Sequence, residues 1–372
     1  MCPSDEMKFR ERERMLHMLE VVPGTESLRK PIADRSRIVK MHTRSAAGAN
    51  MSLPKNLRTV EALLKTVNYL LQDVITSKIL AWHHVYDFIT DRLLAVRQDM
   101  VIQRLSTLHY INLLEPIIRF YAYSAYRLCE HPIEQFDPVL NNNHLQESLK
   151  RLLKLYDESD YTSNNSVDII ESSGRPFFEA LYIVFNLGDP NAITRGLSLK
   201  KHWRLEVVKR SLEISRAMVE GNWYRVCTLI KNLPTLLAAV ASLHLPLIRR
   251  DLKEGRMRSN LHIKGKLQHR HFDGVQFEEI HVWEALKKMA VAYNSKNLTF
   301  PVEALQKQLL YSNKTDLIND CEYYNIKVEN DAIRFMKGVI NHQDVVKPRQ
   351  EEFIYKKLSR RNIPDLVLHG DW

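Results

Sequence analysis

From Leu57 onward the apolar residues of this chain recur at three- and four-residue steps, a period that helices satisfy and strands do not. Leu57, Val60, Leu63, Leu64, Val67, Leu70 and Leu71 make one stripe along one helix face. Similar stripes follow around Trp82–Leu105, Leu108–Cys129, Leu145–Tyr156, Phe177–Leu187, Leu205–Val219 and Trp223–Leu243. The breaks carry helix-stopping punctuation: His131-Pro132, Asp137-Pro138 with Asn141-Asn142-Asn143, Gly188-Asp189-Pro190, and Glu220-Gly221-Asn222. The polar stretch Ser159–Ser166 reads as a loop. Successive amphipathic helices with short connections predict a mainly α fold, an irregular α-helical solenoid over residues 53–248. The chain has 11 glycines in 372 residues, about half the average usage. That scarcity disfavours Rossmann and P-loop enzymes, whose phosphate turns need glycine.

In front of the stripes, residues 1–52 have little to bury within themselves. The charged run Lys8-Phe9-Arg10-Glu11-Arg12-Glu13-Arg14 predicts a helix that stops at Val21-Val22-Pro23-Gly24. Pro23 donates no hydrogen bond and disfavours helix at Val22, while Gly24 permits a sharp turn. The segment then continues as a polar, positively charged strap through Val39–Gly48. It is expected to lie across the helical body, held at Glu20, Val21, Val22, Pro23, Gly24, Arg44, Ala47 and Gly48.

Past Ile248 the texture changes. Within residues 249–276, the stretch Arg249 to His271 carries Arg249, Arg250, Lys253, Arg256, Arg258, Lys264, Lys266 and Arg270 against Asp251 and Glu254, which reads as a mobile basic insertion. Residues 277–340 resume as a compact module. A helix is predicted through Ile280–Tyr293, a second opened by Pro301 with Leu305 and Leu309 inward, and a third capped by Asn313. Short strands Asn325–Glu329 and Ala332–Lys337 follow, joined by Asn330-Asp331. Three helices and a two-stranded wing predict a winged helix. Its third helix carries Asp316, Asp320 and Glu322 against Lys314, so phosphates would repel it. Residues 341–372 read as a basic tail.

The formal charge of +10 points to an anionic partner. Backbone contact with RNA or single-stranded nucleic acid is expected at the basic insertion and at Lys356, Lys357, Arg360 and Arg361, without sequence preference. The cysteines Cys2, Cys129, Cys227 and Cys321 are widely spaced, the usage of a reducing compartment. No apolar run is long enough for a bilayer span, so the chain reads as cytoplasmic or nuclear, without membrane insertion. Phosphate-loop, nucleophile-elbow and zincin spacings are absent. His83-His84 should point apart on a helix, and His269 and His271 stand without a nearby cysteine or carboxylate pair. Glu351-Glu352 reads as solvated charge. The expectation is a non-enzymatic protein with neither metal nor cofactor.

These residues together resemble the SAC-three/GANP family. The head carries a Cys2-Pro3 entry, the charged helix into Leu19-Glu20-Val21-Val22-Pro23-Gly24, and Lys40 through Gly48. Leu57-Arg58, Leu63 and Tyr69-Leu70 are similar to the family's first scaffold helix, Glu130-His131-Pro132-Ile133 to Phe136-Asp137 with Leu149 to its middle, and Phe300-Pro301 with Cys321 to Ile326 to its winged helix. Two departures stand out: a second Cys-Pro pair is missing, and Lys253 to Glu284 is extra length. The resemblance implies a PCI-like stack whose winged helix pairs with that of another PCI-domain protein, through candidate contacts Leu305, Leu309, Tyr323, Tyr324 and Phe335. It also implies a small acidic subunit and a role in mRNA export at the nuclear envelope and pore. Short members of the family imply the alternative, an adaptor at the centrosome and spindle.

Overall fold

The computed structural model of this chain describes residues 1–25, 28, 30–43, 53–162, 174–245, 299–323, 326–335 and 349–370. After α1 (Ser4–Arg12) the scaffold runs α2 (Val60–Gln72), α3 (Trp82–Ile102), α4 (Thr107–Arg127), α5 (Pro138–Thr162), α6 (Arg175–Phe185), α7 (Pro190–Ser198), α8 (Glu206–Val219), α9 (Trp223–Lys231) and α10 (Thr235–Ser242). Side-chain caps begin several of them. Thr59 Oγ1 accepts from the Ala62 amide, Asp189 Oδ1 from Asn191, and Asn222 Oδ1 from Arg225. Gly188 and Gly221 take positive φ at the turns before α7 and α9, where a side chain would be strained.

The core is centred on α4, which packs on α2, α3, α5 and α10. Every residue from Pro116 to Tyr126 is buried, so this helix is apolar nearly all round, as a helix enclosed by others must be. Each fully buried Leu or Phe contributes about 1.5–3 kcal/mol relative to exposure. A polar seam crosses the same core. Arg175 pairs with Asp157 (2.6 Å) and Glu179 (3.2 Å), and Arg195 pairs with the same two carboxylates at 3.0 and 2.8 Å. The Arg175 guanidinium also lies 4.9 Å over the Trp203 ring.

Several boundaries differ from the sequence reading. The stripe over Trp223–Leu243 is two helices, because Pro234 cannot donate to the preceding turn and the chain breaks at Asn232 and Leu233. Asn141 to Asn143 do not break the chain but lie inside α5. Asn141 is fully buried, donating to the Tyr121 carbonyl (3.1 Å) and accepting from Tyr86 (3.2 Å), so its polarity is satisfied internally. Helix α5 also continues through Ser159, whose hydroxyl bonds back to the Leu155 carbonyl. Helix α7 was not foreseen. Its buried residues are Ala192 and Gly196, too small to read as a stripe. A Cβ at Gly196 would come 2.7 Å from Leu212 and 2.8 Å from Ile183, which is why the residue is glycine.

The N-terminal strap lies on this stack, though its helix is shorter than expected. Helix α1 ends at Arg12, where Arg14 turns left-handed at φ 57°, well before Pro23. A single 3-10 turn at Met18–Glu20 follows, then a bridge between Val21 and Ala33, with Gly24 at φ 86° in the turn between. Leu19, Val21, Ala33, Ile38 and Val39 are buried. The strap is therefore part of the core edge and not only a polar cover.

Two buried acids hold it. Glu20, fully inaccessible, pairs with Arg10 of α1 and with Arg92 of α3 (3.1 Å), and accepts from the Val39 amide (3.1 Å). Asp99 of α3, also inaccessible, takes Lys40 of the strap at 2.6 Å and Arg58, just before α2, at 2.7 Å. Arg44, Ala47 and Gly48 lie outside the described residues.

The chain resumes as a small module of β1 (Phe300–Pro301), α11 (Val302–Gln308), α12 (Lys314–Tyr323), β2 (Lys327–Glu329) and β3 (Ala332–Arg334). Its sheet has the order β1-β3-β2, antiparallel throughout, with Phe300 opposite Ile333 and Val328 opposite Ile333 on the other side. It has three strands and not the two foreseen, because Phe300-Pro301 pairs before α11 begins. Asn330 and Asp331 both take positive φ (51° and 58°), the geometry of a two-residue hairpin turn. The helix expected over Ile280–Tyr293 lies outside the described residues. Finally α13 (Glu352–Leu358) and α14 (Ile363–Leu368) return to the scaffold, α13 against α10, and α14 against α2 and α4. Residues 349–370 are thus a docked closing segment and not a free basic tail. Among the described residues no helix is long and apolar enough to cross a membrane.

Replacing Glu20 with Gln should destabilise the chain by about 3–5 kcal/mol, because Arg10 and Arg92 would be left buried against a neutral amide. Urea unfolding of wild type and variant measures the difference. Burial alone would raise the Glu20 pKa, but Arg92 and then Arg10 outweigh it and hold the carboxyl below its ordinary value. Its stabilising effect is therefore complete above about pH 4.5 and disappears as pH falls further. His244 acts at higher pH. Burial lowers its pKa to about 4, so the folded state excludes a proton that the unfolded chain binds below 6.5. Stability should begin to fall as pH drops through 6.5 and keep falling towards 4. The same titration on His244→Gln should show a smaller loss in this range, the remainder coming from His17 and His144, which burial also holds below their ordinary value.

Candidate partner and nucleic-acid surfaces

The small module has its own core of Val302, Leu305, Leu309, Tyr311, Leu317, Cys321, Ile333 and Phe335. Of the expected partner contacts, Leu305 (0% exposed), Leu309 (1%) and Phe335 (1%) are part of that core. They hold the module together and are not available to another protein. Their helical and strand spacing marked them as apolar, which fits a core position as well as a docking one. Tyr323 ends α12, and Tyr324 lies outside the described residues.

Three features fix the module on the scaffold. Trp223, at the start of α9, packs against both cores. Leu310 takes a left-handed φ of 59°, and this turn sends Leu309 into the module and Leu310 into the scaffold core. Such a conformation costs a β-carbon-bearing residue about 1–2 kcal/mol, which the two burials offset. On the outside Arg349 reaches Asp316 (3.5 Å) and Asp320 (3.6 Å), so the acidic face of α12 is engaged within the chain. Tyr311 also donates to Asp320 at 2.6 Å.

The closing segment is positioned by polar contacts to α4. The Tyr126 hydroxyl accepts from the Glu351 amide (2.9 Å) and donates to the Glu351 carbonyl (3.2 Å). Arg119 donates to the Leu368 carbonyl (2.8 Å) at the C-terminal end of α14, where the helix dipole favours a cation, and pairs with Glu115 (2.8 Å). Burial pulls the Arg119 pKa down and Glu115 acts against it. Glu351 is 2% exposed, so it is not the solvated charge its pairing with Glu352 suggested.

The basic residues separate accordingly. Lys356 pairs with Glu352 at 2.6 Å on the exposed side of α13. Lys357 donates to the Leu233 carbonyl at 2.6 Å. Arg360 and Arg361 are exposed in the turn before α14. Arg249, Arg250, Arg256, Arg258, Lys264, Lys266 and Arg270 lie outside the described residues.

Little among the described residues is arranged for bond chemistry. Burial pushes the thiols of Cys2, Cys129 and Cys321 up to about 12, so none of these is a thiolate near neutral pH. His83 and His84 do turn towards each other, contrary to expectation, with ring nitrogens 3.1 Å apart and His131 beside them at 6.0 Å between ring centres. No group of three or more His, Cys, Asp or Glu among the described residues could hold a metal ion.

Tyr126→Phe should cost about 1–2 kcal/mol, since both bonds to Glu351 are lost while the ring still fills its place. Hydrogen exchange read by mass spectrometry should show faster exchange over 349–370 with the strap unaffected. A uniform change across the chain would contradict this anchoring role.

The SAC3/GANP family matches this chain over residues 1–267. The chain is 24% identical over 376 residues to SAC3 family protein 1 of Schizosaccharomyces pombe, covering 99% of this chain and 34% of that protein. It is 27% identical over 244 residues to the protein xmas of Drosophila melanogaster, covering 63% of this chain and 11% of that protein. It is 29% identical over 163 residues to SAC3 family protein B of Arabidopsis thaliana, covering 42% of this chain and 9% of that protein. The chain thus spans about a third or less of the length of these relatives.

Proposed function

We propose that this chain, which belongs to the SAC3/GANP family, is a non-enzymatic adaptor in the export of mRNA from the nucleus. Its small C-terminal module is read as a winged helix that pairs with a PCI-domain protein, while basic surfaces of the chain contact RNA without sequence preference. A small acidic subunit completes the assembly, which resides at the nuclear envelope and pore.

The observation that carries this reading is the way the module is held. Trp223, Leu310 and Arg349 bind it to the scaffold at separate points, so it is presented in a fixed orientation. That is what an adaptor needs in order to place one partner relative to another, because a preoriented surface loses less freedom on binding. The net charge of +10 supports the RNA contact.

Acute depletion of the protein in cells, followed by in situ hybridisation to poly(A) RNA, tests the role. Nuclear accumulation of poly(A) signal within hours, reversed by re-expression, is the expected result. Normal poly(A) distribution together with supernumerary or unfocused spindle poles would overturn the export reading in favour of the centrosomal alternative.

A further inference from the structure

The return of the closing segment creates a cleft that no stretch of sequence contains. It has a volume of about 650 Å³ and lies between the start of α8, the link from α9 to α10, and the turn from α13 to α14. Its charged lining is Arg210, Lys357, Arg360 and Arg361 against one carboxylate, Glu206. Two of these cations are held in place. Lys357 is bonded to the Leu233 carbonyl, and Arg210 is bonded to Glu206 (2.8 Å) and to the Asn232 carbonyl (3.4 Å). Arg360 and Arg361 are exposed on the opposite wall and enter no ion pair with a described residue.

We propose that this cleft binds phosphate groups of a single-stranded RNA backbone. The inference rests on the RNA-contacting adaptor role proposed above and gives it a location. Four cations against one acid, a net of three positive charges on one concavity, attract an anion more strongly than the same charges spread over a convex surface. Three of the four are guanidinium groups, whose planar donors match phosphate oxygens in paired bonds. The remaining side chains include Val207, Leu233 and Pro234 but no aromatic ring. The cleft therefore offers no stacking platform for bases, and binding should follow charge and not sequence. Lys356 lies outside the lining, so the tail residues grouped together by sequence divide into cleft and non-cleft members.

Fluorescence anisotropy with the full chain and a 5′-labelled oligouridine of about 20 nucleotides tests this across a salt series. Arg360→Ala/Arg361→Ala should weaken binding about tenfold at moderate salt. It should also flatten the slope of log affinity against log salt by about 1.4, at roughly 0.7 per phosphate contact on a single strand. Arg210→Ala should act in the same direction. Arg360→Lys/Arg361→Lys should restore most of the slope. Lys8→Ala/Lys78→Ala, which removes two exposed charges elsewhere, serves as the control. Unfolding midpoints equal to wild type exclude misfolding of the variants. If the cleft variants bind like wild type, or the control loses as much as they do, the cleft assignment is overturned while RNA contact stands. If the wild-type chain does not bind the oligonucleotide, the RNA contact itself falls, and the cleft with it.

Discussion

A carboxylate with no access to water decides where the first forty residues can go. Glu20 can remain ionised in the interior only with Arg10 on one side and Arg92 on the other, since an isolated buried charge costs far more than the chain's whole stability. Arg10 belongs to α1 and Arg92 to α3, so meeting this demand fixes the first helix, the 3-10 turn and the scaffold in one arrangement. Asp99 repeats the device with Lys40 and Arg58. Clusters of this sort add little net stability over an apolar packing of equal volume, but breaking them is costly. Their effect is to make any shifted docking of the strap unfavourable, including shifts that would bury as much apolar surface.

The scaffold behind the strap is closed by residues distant in sequence. Arg119 lies in α4, and the Leu368 carbonyl it holds is 249 positions away. The small module therefore sits in a long excursion whose two ends both return to the helical stack. Trp223 and Leu310 make that excursion continuous with the scaffold by placing apolar surface in both cores. The orientation of the module thus follows from packing at its base.

How much of this was legible depended on whether the signal was local. The helices with large apolar stripes, α2 to α6 and α8, could be read from period alone, and the punctuation residues Asp189 and Asn222 do cap the helices that follow them. The hairpin at Asn330-Asp331 was legible because its turn type needs two residues that tolerate positive φ. Helix α7 was hidden because close packing there requires alanine and glycine. The break at Pro234 was missed because the stripe runs on across it. The ion clusters were not legible at all. Glu20 reads as a strap residue, but nothing in its neighbours shows that its partner is Arg92, 72 positions on. The same holds for the candidate surfaces: the basic residues of the closing segment stood out as a run, whereas Arg210, which faces them, looks like any exposed arginine of an amphipathic helix.

The docking of α14 has a consequence for the order in which the molecule is made. During synthesis α4 leaves the ribosome long before Leu368 exists. At roughly 5–20 residues per second, tens of seconds pass in which α2 and α4 lack the helix that covers them. For that interval the Arg119 guanidinium and the apolar face around it are open, and the nascent chain presents a sticky groove that α14 must eventually fill. Escape from aggregation then depends on whatever shields that groove in the meantime, so this fold needs protection most in the span between completing its scaffold and receiving its closing helix.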